Sequence, residues 1–172
     1  MIPQFPDAID LDRAIAIFAE FAAARYLTLQ FPQDGCYART HVMVQRLFDK
    51  GLAPNKIWAF ASSAADPLWM EARRIPNVRV QWGYHVAPTL MVYGLDDEMR
   101  EMVFDPVLFD QPMLVDCCLT ALHDTPYSVR TVFSEPPLPV RGGSGYWPGP
   151  DPIEGANLHA RETLEEYGRD NE

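Results

Sequence analysis

Along the first fifty residues the apolar positions fall at helical spacing. After Asp10, the residues Leu11, Ala14, Ile15, Phe18, Ala22 and Tyr26 recur every three or four positions, which predicts a core helix running to about Leu27 with Asp10 as its N-cap. A second amphipathic helix is predicted from Cys36 to Gly51, where glycine's tolerance of positive φ suits the position after Lys50. Pro32 and Asp34-Gly35 form the turn between them. The period then shortens. "KIWAFAS" predicts a buried strand, and "SSAADPLWMEARRIPN" a loop or short helix. "VRVQWGYHVAPTLMVYG" alternates, with Val78, Val80, Trp82, Tyr84 and Val86 on one face and Gln81, Gly83, His85 and Ala87 on the other; Pro88 suggests an edge position or a bulge. "REMVFDPVLF" reads as the return strand and "YSVRTVFSE" as another, so an antiparallel sheet is the simplest arrangement. A Pro/Gly-rich segment from about residue 135 is followed by a helix in "IEGANLHARETLEEYG".

This order of elements is that of an α+β protein, and 172 residues, 48% of them apolar, suffice for one core and not two, so residues 1–172 are expected to form a single domain. No run reaches the roughly 18 apolar residues of a spanning helix, and "MIPQFPDAIDLDRA" lacks the basic and apolar regions of a Sec signal. No membrane association is expected. The location expected is cytoplasmic, or outside by a signal-independent route. The net charge of −10 is concentrated in residues 96–172, with 16 acidic against 5 basic side chains, and no Lys/Arg stripe offers itself to a phosphate backbone. Nucleic acid is therefore not an expected partner. Pro136 to Arg141 fit a PxxP ligand for an SH3-type groove, but a packed surface loop is the better reading.

Three cysteines make no disulfide framework, and the adjacent Cys117 and Cys118 read as core residues. Cys36 differs because it opens a helix, where unpaired N–H groups and the macrodipole favour a thiolate. Free cysteine is also among the most buried residue types, so position alone favours a structural thiol. A base decides. His41 lies five residues on and is rotated off the cysteine's face, whereas His85 has small neighbours, Gly83 and Ala87, that would let a helix end approach. If the strands fold back around Leu95, His85 faces Asp105; a slip of two residues leaves them diagonal neighbours still within side-chain reach. Asp105 would then fix the imidazole tautomer. Gln30 or Gln33, upstream of the thiol, offers an amide to an oxyanion, and Gly35, Tyr37, Trp82 and Tyr84 are placed with them in oxyanion or substrate binding. A zinc site from Cys36, His41 and His85 lacks ligand spacing, so neither metal nor cofactor is expected. His123 and His159 read as surface residues.

The blocks "DGCYARTH" at 34–41, "WGYHVAP" at 82–88 and "VFDPVLFD" at 103–110 together resemble the bacterial protein-glutaminase (protein-glutamine deamidase) family in order and spacing. The resemblance covers about residues 34–110. It implies a papain- and transglutaminase-like core, with a nucleophile helix packed on an antiparallel sheet, and it puts the nucleophile at Cys36, the base at His85 and the orienting acid at Asp105. It also implies hydrolysis of glutamine side-chain amides in a protein or peptide, to glutamate and ammonia. No equivalent is evident of the signal and pro-segment of secreted members. A transglutaminase-type acyl transferase, a cysteine protease and a non-catalytic binding domain of the same fold are the rivals. Both a toxin or effector and a housekeeping modifier fit so small a chain.

Overall fold

The computed structural model describes residues 8–123, 127–132 and 156–169. Asp10 ends a two-residue strand, β1 (Ile9–Asp10), and caps helix α1 (Leu11–Ala22) by accepting from the Arg13 amide at 2.7 Å. The helix is a turn and a half shorter than its period predicts. Its buried stripe is Ala14, Ile17, Phe18 and Phe21, with Ile15 exposed. A single 3₁₀ turn over Arg25–Leu27 then buries Leu27 and leaves Tyr26 44% exposed, because continuing the α-helix would have turned Leu27 away from the core. Helix α2 (Cys36–Asp49) and Gly51, at φ 72°, stand where the sequence puts them.

Strands β2 (Asn55–Phe60), β5 (Tyr84–Tyr93), β6 (Met99–Val103), β7 (Met113–Leu114) and β8 (Tyr127–Val132) form one sheet in the order β7-β6-β5-β2-β8, all antiparallel; β1 runs parallel to the far end of β5. The stretch expected to be loop or short helix contains β3 (Leu68–Glu71), which pairs with β4 (Arg79–Trp82) in a separate hairpin. The predicted long strand is thus two. It breaks at Gly83, whose carbonyl accepts from the Ala61 amide at 2.8 Å, so the facing inferred across the break does not carry over.

Pro88 lies in the central strand, at neither an edge nor a bulge. Its carbonyl accepts from Phe104 at 2.9 Å just beyond the last β5–β6 pair, Thr89 with Val103, so the missing N–H falls at the rim of that ladder. A short helix, α3 (Val115–Ala121), leaves Cys117 exposed and Cys118 buried, which corrects the expectation that both are core. Helix α4 (Ala156–Arg169) packs across α2. The core joins Phe18 and Phe21 of α1, Leu47 of α2, Ile57 of β2, Leu90 of β5 and Phe104. Among the described residues no helix is long and apolar enough to cross a membrane. The Pro136–Arg141 motif lies outside the described residues.

Candidate active site

Gly35 starts the site. It is the N-cap of α2 at φ 77°, a conformation glycine adopts without strain, and it offers no side chain to the helix end. The leading N–H groups of α2 are therefore left for another acceptor. Gly35 donates its own amide to Asp34 Oδ1 at 2.6 Å, and Tyr167 of α4 closes over the turn, donating its hydroxyl to Asp34 Oδ2 at 2.8 Å and stacking on Phe31 at 4.5 Å. A Cβ at Gly35 would stand 2.7 Å from the Tyr167 ring. Gly35→Ala should therefore cost about 2–3 kcal/mol, from left-handed strain and the clash together. Urea denaturation measures this, and Tyr167→Ala in the same background should recover the clash part; an unchanged midpoint for Gly35→Ala would mean that Tyr167 does not seat there.

Arg39, one turn into α2 and buried, holds the same loop from inside. Its Nη1 donates to the Phe31 carbonyl at 3.0 Å and its Nη2 to the Asp34 carbonyl at 2.6 Å. Burial lowers its pKa, opposed by the nearby Cys36, Asp105 and Asp34. Thr40, on the Cys36 face of α2, ties the helix to β5 by donating to the Val86 carbonyl at 2.9 Å. That bond sets the cysteine against the histidine strand. Ala87 is buried there, but nothing lies within 4 Å of a Cβ at Gly83, so the helix approach does not depend on that glycine.

Cys36, His85 and Asp105 are 5%, 3% and 4% exposed. His85 Nε2 lies 2.6 Å from Asp105 Oδ2. An ionised carboxylate only accepts, so Nε2 carries the proton and Nδ1 is the basic nitrogen. Asp105 Oδ1 accepts from the Val107 and Leu108 amides at 3.0 and 3.3 Å, which fixes the carboxylate at the strand end. Nδ1 is buried and makes no hydrogen bond of ordinary geometry among the described residues, while the Cys36 sulfur is near enough to raise the ring's proton affinity. Burial alone would lower the His85 pKa; the hydrogen bond to Asp105, the Cys36 sulfur and the Asp105 charge outweigh it and bring it to about 9.

The other expected positions divide. Trp82 is buried, donating Nε1 to the Pro32 carbonyl at 3.0 Å with its ring 5.1 Å from that of His85, so it braces the loop and covers the imidazole instead of facing a substrate. Gln30 and Gln33 are both exposed on the turn that leads to Cys36. Tyr37 is half-buried beside Cys36 and turned toward α4, its hydroxyl bonded to Thr163 and Tyr167; burial and then the Asp34 charge raise its pKa. Tyr84 is half-buried too, its phenol pushed up by burial and by the Cys36 sulfur. It stands with Trp58, at 5.9 Å, and Phe60, at 6.2 Å, in an aromatic wall that packs with Cys36 and extends to Tyr127, 67% exposed.

His41 is buried with Nδ1 3.5 Å from Lys56 Nζ, a separate polar pair behind α2; burial lowers the Lys56 pKa to about 7. His123 is half-buried and stacks on Trp69, while His159 is exposed. Among the described residues no three His, Cys, Asp or Glu side chains are grouped to hold a metal ion. Arg39, Trp58, Phe60 and Tyr167 are absent from the site expected on sequence. Arg39 had a readable signal, a guanidinium one turn from the thiol on a face that meets the core.

Residues 14–121, more than half of the chain, match a family of sequences described as glutaminase. No curated protein matches at comparable stringency. Among solved structures, the crystal structure of pro-protein-glutaminase superposes with a TM-score of 0.75 at 19% identity, covering 98% of this chain and 61% of that one. A crystal structure of protein-glutaminase gives 0.74 at 19% identity, over 96% and 91%. The NMR structure of protein-glutaminase from Chryseobacterium proteolyticum gives 0.71 at 19%, over 94% and 89%. At that identity the likeness is one of fold, and this chain spans less than two thirds of the pro-form's length.

Proposed function

The chain belongs to the glutaminase family, and from that premise we propose that it deamidates glutamine side chains within a protein or peptide, releasing ammonia and leaving glutamate. The observation that carries the reading is the buried pair of His85 Nε2 and Asp105 Oδ2 at 2.6 Å, with Cys36 at the start of α2 close enough to raise the imidazole's proton affinity. His85 takes the thiol proton at Nδ1, and the resulting imidazolium is stabilised through Nε2–H by Asp105. The sulfur attacks the side-chain amide carbon. The oxyanion that develops meets the uncapped N–H groups of the first turn of α2, where backbone partial charge is positive. His85 returns its proton to the nitrogen, the C–N bond breaks, and ammonia departs, leaving a γ-glutamyl thioester on Cys36. Water, deprotonated by the same imidazole, hydrolyses the thioester and restores the thiol.

The aromatic wall of Trp58, Phe60 and Tyr84 would flank the aliphatic stem of the glutamine, and the exposed Tyr127 would meet the residues around it. Intact-mass and fragment spectra of a glutamine-bearing protein after incubation distinguish the possible fates of the thioester. The expected product gains about one dalton per converted glutamine and appears with an equal amount of ammonia. Crosslinking to an added amine would replace the reading with acyl transfer, and cleaved backbone with proteolysis. An unchanged substrate, with Cys36 no more reactive toward iodoacetamide than the exposed Cys117, would replace it with binding alone.

A further inference from the structure

Helix α4 presents two stripes. His159, Thr163 and Tyr167 face Tyr37 and the nucleophile loop, whereas Arg161, Leu164, Glu165 and Gly168 line a cavity of about 490 Å³ on the helix's other edge. The opposite walls are Arg25, Tyr26 and Thr28 at the 3₁₀ turn and Val42 and Arg46 of α2. Three guanidinium groups thus border one cavity in a chain of net charge −10. Among the described residues none of the three forms an ion pair, although Glu165 is on the rim. Arg46 lies over the Tyr26 ring, 5.5 Å from its centroid, which holds its fork in place. Thr28, in left-handed conformation at φ 46°, has its Oγ1 buried with no hydrogen-bond partner among the described residues. A side cavity of about 100 Å³ shares Val42, Arg46 and Arg161 and is completed by His41, Gln45 and Asp49, whose carboxylate stands, like that of Glu165, at the edge of the cationic patch.

We propose that this cavity binds an organic anion, a phosphate or carboxylate group carried on an apolar or aromatic body, through Arg25, Arg46 and Arg161. Guanidinium forks are the side chains best matched to such oxyanions. Val42, Leu164 and the Tyr26 ring supply the apolar contact that a bare ion would not use. The volume is that of a small-molecule site. Neither Cys36 nor His85 lines this cavity, so its occupancy is measurable whatever reaction the thiol performs.

The test is calorimetric titration of the whole chain at low salt with phenyl phosphate, benzoate, inorganic phosphate and phenol. Phenyl phosphate or benzoate should bind about tenfold or more tightly than phosphate or phenol, and which of the two leads identifies the oxyanion. The double variant Arg46→Ala, Arg161→Ala should weaken that binding by about tenfold or more and leave glutamine deamidation unchanged. Gly168→Leu, which keeps every arginine and fills the cavity, should also abolish it, and is sufficient by itself if the double variant does not fold. Undiminished binding to Gly168→Leu, equal affinity for phosphate and phenyl phosphate, or no binding of either organic anion would overturn the proposal.

Discussion

Cys36→Ala should lower the rate of ammonia release from a glutamine-bearing protein by about 10⁴-fold or more, because no other group in the site can form the thioester. The substitution removes one sulfur from a pocket shared with Trp58 and Val86, so stability should change by only about 1 kcal/mol, and an unaltered circular dichroism spectrum would show that the loss is chemical. Cys118 cannot stand in for it, since burial pushes that thiol's pKa up, and the exposed Cys117 sits on α3 and has no described imidazole partner. Ammonia release persisting above about one hundredth of the original rate would move the reaction off Cys36.

Asp105→Asn tests the other end of the line. The carboxylate both orients the ring through Nε2 and raises its pKa, so the amide should cost roughly a hundredfold to ten-thousandfold in kcat. The pH profile carries the sharper signature. With Asp105 present, the imidazolium that forms when His85 has taken the thiol proton, and that protonates the departing ammonia, persists up to about pH 9, and the alkaline fall in activity belongs to its loss. Without that charge, burial dominates and the fall should move to lower pH. Stability follows the same sign: a histidine pKa raised above its ordinary 6.5 gives stabilisation that is complete below that value and lost as pH rises through about 9. Denaturation midpoints between pH 6 and 10 should therefore decline in the parent chain and change less in Asp105→Asn. Equal alkaline limbs in the two proteins would rule out Asp105 as the group that raises His85.

The meeting of His85 and Asp105 is legible in the sequence, although the hairpin that the sequence suggests is two residues out of register. A tip at Leu95 pairs Tyr93 with Asp97; the structure pairs Tyr93 with Met99. The hairpin loop has three residues, Leu95 to Asp97, closed by the Gly94 amide on the Glu98 carbonyl at 2.9 Å, and Asp97 takes the left-handed position at φ 58°. Glycine is the usual signal for that position. Aspartate tolerates it without announcing it, and the two extra loop residues shift the pairing by two. Parity survives such a shift, which is why the two side chains still share a face. The break at Gly83 is illegible for a different reason. Alternation of Val80, Trp82, Tyr84 and Val86 continues straight through it, and only the partners, β3 on one side and β2 on the other, divide the run. Arg39 and Tyr167 act on the nucleophile through loop carbonyls and a distant carboxylate, contacts that no local pattern encodes.

The bond from Tyr167 to Asp34 spans 133 positions of the chain. Synthesis runs from the N-terminus, so Cys36, His85 and Asp105 all emerge before the helix that seats the nucleophile loop. The last fastening of Asp34 therefore arrives with α4, after the thiol, the imidazole and the carboxylate have all been made, so the nucleophile loop is among the last parts of the site that the finished chain can lock.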